Sequence, residues 1–193
     1  MRMSPPRPPV HTIIDERVRV LQEGYLSNRS AAVGALARLR RGLGKPAGSV
    51  LDILDHTHHP EFVLDPQSDE ATPQERAAHL AMTLYALHQQ AQTQRMHKAG
   101  RRFGQAVRAL VAGDLTPQDP VARRFAMIGT ADSLDELTHH LRGMIQLLRT
   151  KQIPLDYGRL ATDLLFWQFP SSAAGVRLRW GRDFHFSKTT NTD

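Results

Sequence analysis

The sequence contains no cysteine and no long apolar run. Without cysteine there are no disulfide bonds, thiolate zinc sites, iron–sulfur clusters or cysteine nucleophiles, and a reducing compartment is expected. No window approaches 18 uninterrupted apolar residues, and the opening MRMSPPRPP lacks the apolar region of a signal peptide. We therefore expect a cytoplasmic protein that neither enters nor crosses a membrane.

Motifs of common catalytic machinery are also missing. The sequence has no Gly-x-x-x-x-Gly-Lys-Ser/Thr phosphate loop, no Gly-x-Gly-x-x-Gly dinucleotide loop and no Gly-x-Ser-x-Gly nucleophile turn. These absences remove the usual sequence support for nucleotide hydrolysis, dinucleotide binding and serine hydrolysis. We expect a protein that is not an enzyme and needs no cofactor.

The histidines are the only residues that suggest a metal site as an alternative. Three histidines lie in the predicted loop 56–59, and His139 and His140 lie on a predicted helix. Adjacent helical residues point about 100° apart, so His139 and His140 are poorly placed to chelate together. No His-Glu-x-x-His or His-Asp pattern occurs. A histidine-based, metal-dependent phosphohydrolase is thus the less favoured alternative.

The charge is positive and unevenly distributed. The formal net charge is +6 and the sequence pI is about 10.3. Residues 1–96 contribute +1 and residues 97–193 contribute +5. Such a balance favours phosphate-bearing partners, although an arginine-rich composition also occurs in proteins of GC-rich genomes. Nucleic acid is therefore the first partner to consider.

Helix-start signals recur along the chain. Thr72-Pro73-Gln74-Glu75 and Ser133-Leu134-Asp135-Glu136 both match the capping box. Ser27 or Asn28 is a plausible N-cap for the second helix. After Thr72, apolar residues at steps of 4, 3 and 4 predict a helix to about Gln94 with one buried face.

The same spacing continues to residue 186, and no pair of strands is evident. We predict an all-α fold, a compact bundle of about eight or nine helices with no significant sheet. Residues 1–9 are predicted to be a disordered leader, 10–186 a single helical domain, and 187–193 a flexible tail. The proline-rich and acidic stretch 56–71 could divide the domain into halves at 10–55 and 72–186.

Basic clusters are the stronger functional signal. Lys98, Arg101 and Arg102 have the spacing i, i+3 and i+4, so one helix that also carries Arg108 could present them to a phosphate backbone. Solvated helix faces and charges that relieve a helix dipole are the competing interpretations. Aromatic residues are few and lie at core spacing, so binding should depend on charge and shape. The predicted nucleic-acid-binding residues are Arg38, Arg41, Lys98, Arg101, Arg102 and Arg142.

The C-terminal third resembles the CasB small-subunit family of the type I-E CRISPR complex Cascade. The resemblance is most specific in IPLDYGRLATDLLFW at 153–167 and VRLRWGRDF at 176–184. Weaker similarity covers ALARLRRG at 35–42, the RRF at 123–125 and LRGMIQLLR at 141–149. These residues are largely structural: Trp167, Trp180 and Phe184 should join the last two helices, and Arg179 can reach Asp183 one turn on.

The resemblance implies a non-catalytic, all-helical subunit that is present as a pair inside Cascade. It implies contact with other Cascade subunits and the crRNA, and stabilisation of target DNA in the opened R-loop. The contact residues are our hypothesis from charge placement, not part of the resemblance. An independent helical DNA-binding regulator is the main alternative, although the glycine-containing turn at 42–48 fits a helix-turn-helix poorly.

Overall fold

A computed structural model describes residues 9–116 and 118–186. It contains nine α-helices in these ranges, which are α1 Pro9–Leu26, α2 Ser30–Gly42, α3 Leu54–Thr57, α4 Pro73–Gln89, α5 Phe103–Arg108, α6 Pro120–Thr130, α7 Leu134–Thr150, α8 Tyr157–Trp167 and α9 Pro170–Phe186. Short 3₁₀ turns occur at Leu51–Ile53 and Pro60–Phe62. The predicted tail, and the leader up to residue 8, lie outside the described residues.

Helices account for the secondary structure of the described chain, as predicted. The one extended contact found there is an isolated bridge between His97 and Leu155. No helix in the described ranges has the length and apolarity that crossing a membrane requires. The all-α prediction is confirmed.

Capping explains where several helices begin. Thr72 Oγ1 accepts from the Glu75 amide at 3.1 Å, and the Glu75 carboxylate accepts from the Thr72 amide at 2.8 Å, so the predicted capping box is present. Ser133 also caps the Glu136 amide. The N-cap predicted for α2 is wrong: Arg29 occupies that position, because Asn28 has a φ of 53° and makes the turn before the helix.

The α4 helix is the centre of the bundle. All residues from Ala77 to Gln89 are buried, so the prediction of a single buried face is wrong. Packing against α1, α2, α7 and α8 covers every side of the helix. Its many alanines allow these neighbours to approach closely, and a periodicity argument misses burial of this kind.

Most polar groups buried in α4 have partners, although His79 Nδ1 and His88 Nε2 have none among the described residues. Thr83 Oγ1 donates to the His79 carbonyl at 2.8 Å, and Gln89 Oε1 accepts from the Met96 amide at 3.1 Å. His88 Nδ1 lies 2.9 Å from the Tyr157 hydroxyl of α8. Burial lowers the pKa of His88 to about 3, so the imidazole is neutral at physiological pH.

The last helix is attached by aromatic packing and one buried carboxylate. Trp180 lies 4.9 Å from Phe103, and Phe184 lies 4.4 Å from Phe125, measured between ring centroids. Asp163 of α8 accepts from Trp180 Nε1 at 2.8 Å and from Arg179 at 3.0 Å. The expected contact between Arg179 and Asp183 is therefore wrong, because Asp163 is the carboxylate that faces Arg179.

Two glycines give opposite expectations for the same substitution. A Cβ on Gly104 would collide with the Trp180 carbonyl oxygen and lie 2.6 Å from the Asp183 Cβ, whereas a Cβ on Gly143 would meet nothing within 4 Å. Gly104→Ala should lower the free energy of unfolding by at least about 2 kcal/mol, because the backbone of α9 must move. Gly143→Ala should raise it by about 0.5–1 kcal/mol, since alanine favours a helix.

Urea denaturation of both variants and the wild type checks this pair. Equal changes in the two variants would contradict the close approach of α5 and α9.

Candidate nucleic-acid interface

Six basic residues gather where α4 and α7 end. The Lys98 amide donates to the Leu155 carbonyl at 3.1 Å, and the Leu155 amide donates to the Met96 carbonyl at 3.0 Å, so the segments after the two helices lie side by side. Arg149 also donates to the Gln90 side chain at 3.0 Å. We call this surface the basic end. Its members are Arg95, Lys98, Arg101, Arg102, Arg149 and Lys151.

Asp156 is the single acidic residue of segments 90–102 and 149–156. It is 5% exposed, and its carboxylate accepts from the Gly100 amide at 2.7 Å and the Arg159 amide at 2.9 Å. It therefore caps α8 and holds the basic turn in place, with its charge directed inward. These two segments therefore contribute little negative charge near the basic end.

A buried histidine orients the same turn. His97 Nδ1 accepts from the Tyr157 amide at 3.2 Å, which places the proton on Nε2, and Nε2 donates to Asp15 at 3.1 Å. Burial lowers the pKa of His97, although Asp15 opposes this shift. A neutral His97 thus connects α1 to the start of α8 through hydrogen bonds at both ring nitrogens.

Asp15, His97 and Asp156 form a group of potential metal ligands in the described part of the chain. Ligand atoms of Asp15, His97 and Asp156 lie within 4.8 Å of one another. Both nitrogens of His97 and both oxygens of Asp156 already make the hydrogen bonds given above. A metal ion would have to displace contacts that hold the turn together, so we assign this group a positioning role.

The prediction that one helix presents Lys98, Arg101 and Arg102 is wrong. These residues form a turn before α5, which begins at Phe103. Arg102 makes an ion pair with Asp183 of α9 at 2.6 Å, and burial lowers the pKa of the half-buried Arg101. Lys98 is exposed. Of the three, Lys98 has the side chain most accessible to a phosphate.

Arg38 and Arg41 are engaged with the chain that follows α2. Arg41 makes an ion pair with the Asp52 carboxylate at 2.9 Å, and Arg38 donates to the Asp52 carbonyl at 3.2 Å. Both contacts are exposed, and such pairs contribute little to stability. They nonetheless lower the net positive charge that these two arginines present.

Arg142 lies in a different setting. It lines a groove of about 670 Å³ together with Lys45 and Arg76, and its side chain is exposed. Asp69, Glu70 and Asp135 line the same groove, so carboxylates lie close to these three cations. Arg76 is fixed by a 2.7 Å bond to Gln168 of the loop after α8. Arg149 lies seven residues further along α7, on nearly the same face and about 10 Å away. The α7 helix thus connects this groove to the basic end.

The opposite end of α4 is acidic. Residues 46–75 contain seven carboxylates and no lysine or arginine. This segment, which we call the acidic segment, precedes α4 and includes its first turn. Since α4 has 17 residues, about 25 Å separates the acidic segment from the basic end along its axis. The two ends of α4 therefore lie near surfaces of opposite charge.

Three of the five histidines considered for a metal site have other partners. His58 pairs with Glu75 at 2.9 Å, His59 accepts from the Glu61 amide at 3.2 Å, and His140 lies 3.7 Å from Glu136. The structure brings none of them into a group of three metal-ligating side chains within the described residues. The geometry gives the phosphohydrolase alternative no support.

Comparison with known proteins identifies the family. The model of the CRISPR-associated protein Cse2 family matches residues 35–185. The chain belongs to the Cse2 family. None of the curated proteins matches the chain. The matched range contains all six predicted contact residues and the whole acidic segment, so both the basic and the acidic surfaces lie within the Cse2 region.

Solved structures agree with this assignment. The chain is 40% identical to CasB from Thermobifida fusca, with a TM-score of 0.78, and the match covers 91% of this chain and 97% of that one. CasB from Thermus thermophilus is 25% identical, with a TM-score of 0.68 and coverage of 96% and 100%. A chain of a CRISPR RNA-guided surveillance complex shares the fold at 21% identity, a TM-score of 0.65 and coverage of 91% and 93%.

The sequence interpretation omitted half of the basic end. Arg95, Arg149 and Lys151 join Lys98 only because the segments after α4 and α7 pair with each other. A usable signal was available in the sequence, since segments 90–102 and 149–155 contain basic residues and no acidic ones. Their proximity could not be inferred without the bundle's topology.

The different settings of Arg102 and Lys98 predict different effects on stability. Arg102→Ala leaves the Asp183 carboxylate, 8% exposed, without its ion-pair partner. It should lower the free energy of unfolding by about 1–2 kcal/mol, less than a fully buried pair because the Arg102 side chain is 40% exposed. Lys98→Ala should change it by less than about 0.5 kcal/mol.

Urea denaturation of both variants at neutral pH tests the assignment. Equal losses of stability would show that Arg102 is not more structural than Lys98.

Proposed function

We propose that this chain is the non-catalytic small subunit of a type I-E Cascade complex. In this role it binds nucleic acid without sequence preference and stabilises crRNA-guided target DNA in the R-loop. Membership of the Cse2 family across residues 35–185 carries the proposal, and the likeness of the fold to a chain of a CRISPR RNA-guided surveillance complex supports it. Its partners are the other Cascade proteins, the crRNA and single strands of the opened target.

The distribution of charge supports a role in binding single strands of nucleic acid. Lys98 and Lys151 at the basic end and Arg142 on α7 have exposed side chains. Phosphate contacts of this kind give affinity that depends on salt and not on base sequence. Guide–target pairing then supplies the sequence selection, and the helical subunit supplies positive surface.

The buried aromatic residues fit the same mode of binding, whereas Phe166, Phe169 and Phe186 are 38%, 42% and 81% exposed. The rings of Phe103, Trp180 and Phe184 are at most 2% exposed and belong to the core, so they are not available for base stacking. Two copies of the chain in each complex would extend the positive surface along the opened target. We propose no reaction for the subunit itself.

The first test measures the affinity of the purified chain for a labelled single-stranded oligonucleotide across a salt series. With about four phosphates neutralised, the logarithm of the association constant should fall against the logarithm of salt with a slope near −3. The triple variant Lys98→Ala, Arg142→Ala, Lys151→Ala should reduce that slope to about −1, because three contacts are lost.

A matched control removes the same charge elsewhere. Arg123, Arg124 and Arg182 are exposed on α6 and α9, and their triple alanine variant should keep most of the slope. The two variants are then added to Cascade proteins and crRNA to measure target binding. Equal weakening by both variants would contradict the proposed contacts, and sequence-selective binding by the free chain would favour the regulator instead.

A further inference from the structure

The acidic segment gives this basic protein a surface of opposite sign. Its seven carboxylates give residues 46–75 a formal charge of −7, and the remaining 25 basic and 12 acidic residues give the rest of the chain +13. Phosphates are repelled by such a surface, so it does not serve the same partner as the basic end. Its charge instead suits a basic protein surface.

A cavity of about 420 Å³ opens between the acidic segment and α4. Asp69 and Glu70 line it from the loop before α4, and they also line the adjoining groove that contains Arg142. Glu75 lines it from the first turn of the helix, where its carboxylate already pairs with His58 and the Thr72 amide. The hydroxyl-bearing Ser49 and Ser68 are also in the lining. Hydrogen-bond acceptors therefore line part of this space, beside the apolar Ala47, Leu54 and Ala71.

The wall of the cavity contains a buried acceptor that has no donor. His79 is 5% exposed, and its Nε2 donates to the Gly42 carbonyl at 3.0 Å. The remaining ring nitrogen, Nδ1, is buried and has no hydrogen-bond partner among the described residues. Because Nε2 carries the proton, Nδ1 presents a lone pair, and an unpaired buried acceptor is costly.

We propose that this cavity binds an arginine side chain of a neighbouring protein subunit. A guanidinium group has five N–H donors and no acceptor, so it can pair with Asp69 and Glu70 and direct a further donor toward His79. The length of an arginine side chain also suits a cavity that leads inward from an exposed loop. The acidic segment is then the protein-contacting surface, and the basic end is the nucleic-acid-contacting surface.

This inference rests on the proposed function to the extent that the neighbouring subunit belongs to the same assembly. The test uses the crRNA-loaded assembly purified without this chain, and measures its affinity for the full-length chain. Asp69→Asn with Glu70→Gln should weaken that affinity at least about thirtyfold, as expected when a desolvated charge pair loses one partner. Both residues are exposed, so the fold should be retained.

Asp114→Asn with Asp132→Asn is the matched control, since it removes two exposed carboxylates outside the acidic segment. Its affinity for the assembly should stay within about twofold of the wild type. Both double variants should bind a single-stranded oligonucleotide at least as tightly as the wild type, because each gains two units of positive charge. That readout separates protein docking from nucleic-acid binding.

Several results would overturn the proposal. If Asp69→Asn with Glu70→Gln joins the assembly as tightly as the wild type, the cavity is not the docking site, although the proposed function stands. If the wild type itself does not join, both the proposed function and this inference fail. If joining requires a divalent metal and EDTA abolishes it, the cavity holds a metal ion and not a guanidinium group.

Discussion

Thirteen consecutive residues of α4 are buried, and a helix without a solvent face is stable only if most of its polar side chains find partners inside the core. His88 meets Tyr157, Gln89 holds the following loop through Met96, and Thr83 bonds back to its own helix. The bonds of His88 and Gln89 attach α4 to α8 and to the loop that follows α4. The acidic segment and the basic end consequently lie at opposite ends of one rigid helix.

The features that local sequence determines were predictable. The helix count and the Thr72 capping box follow from short-range patterns, and the structure confirms both. Contacts between distant segments were not predictable in the same way. Asp183 lies 81 residues after Arg102, and the local sequence does not predict that the two form an ion pair. Because of this pair, Arg102 has a structural role and is less available as a nucleic-acid contact. The same limit explains why Arg149 and Lys151 were not grouped with Lys98.

The positive charge that an arginine offers to a phosphate also depends on whether the arginine already forms an ion pair. Arg41 and Arg102 lose part of their positive field to Asp52 and Asp183, whereas Lys98 and Arg142 remain exposed. The Cse2 family assignment supports a role in a CRISPR complex. The opposite charges of the basic end and the acidic segment suggest that one chain contacts two kinds of partner. Phosphates suit the basic end, and a basic protein surface suits the acidic segment.

Site-specific photo-crosslinking in the reconstituted, target-bound assembly tests this division most directly. A photoreactive residue is placed at position 98 or 151 in one set of samples and at position 65 or 69 in another. The account predicts crosslinks to nucleic acid from positions 98 and 151, and crosslinks to protein from positions 65 and 69. Nucleic-acid crosslinks from the acidic positions, or only protein crosslinks from the basic ones, would contradict it.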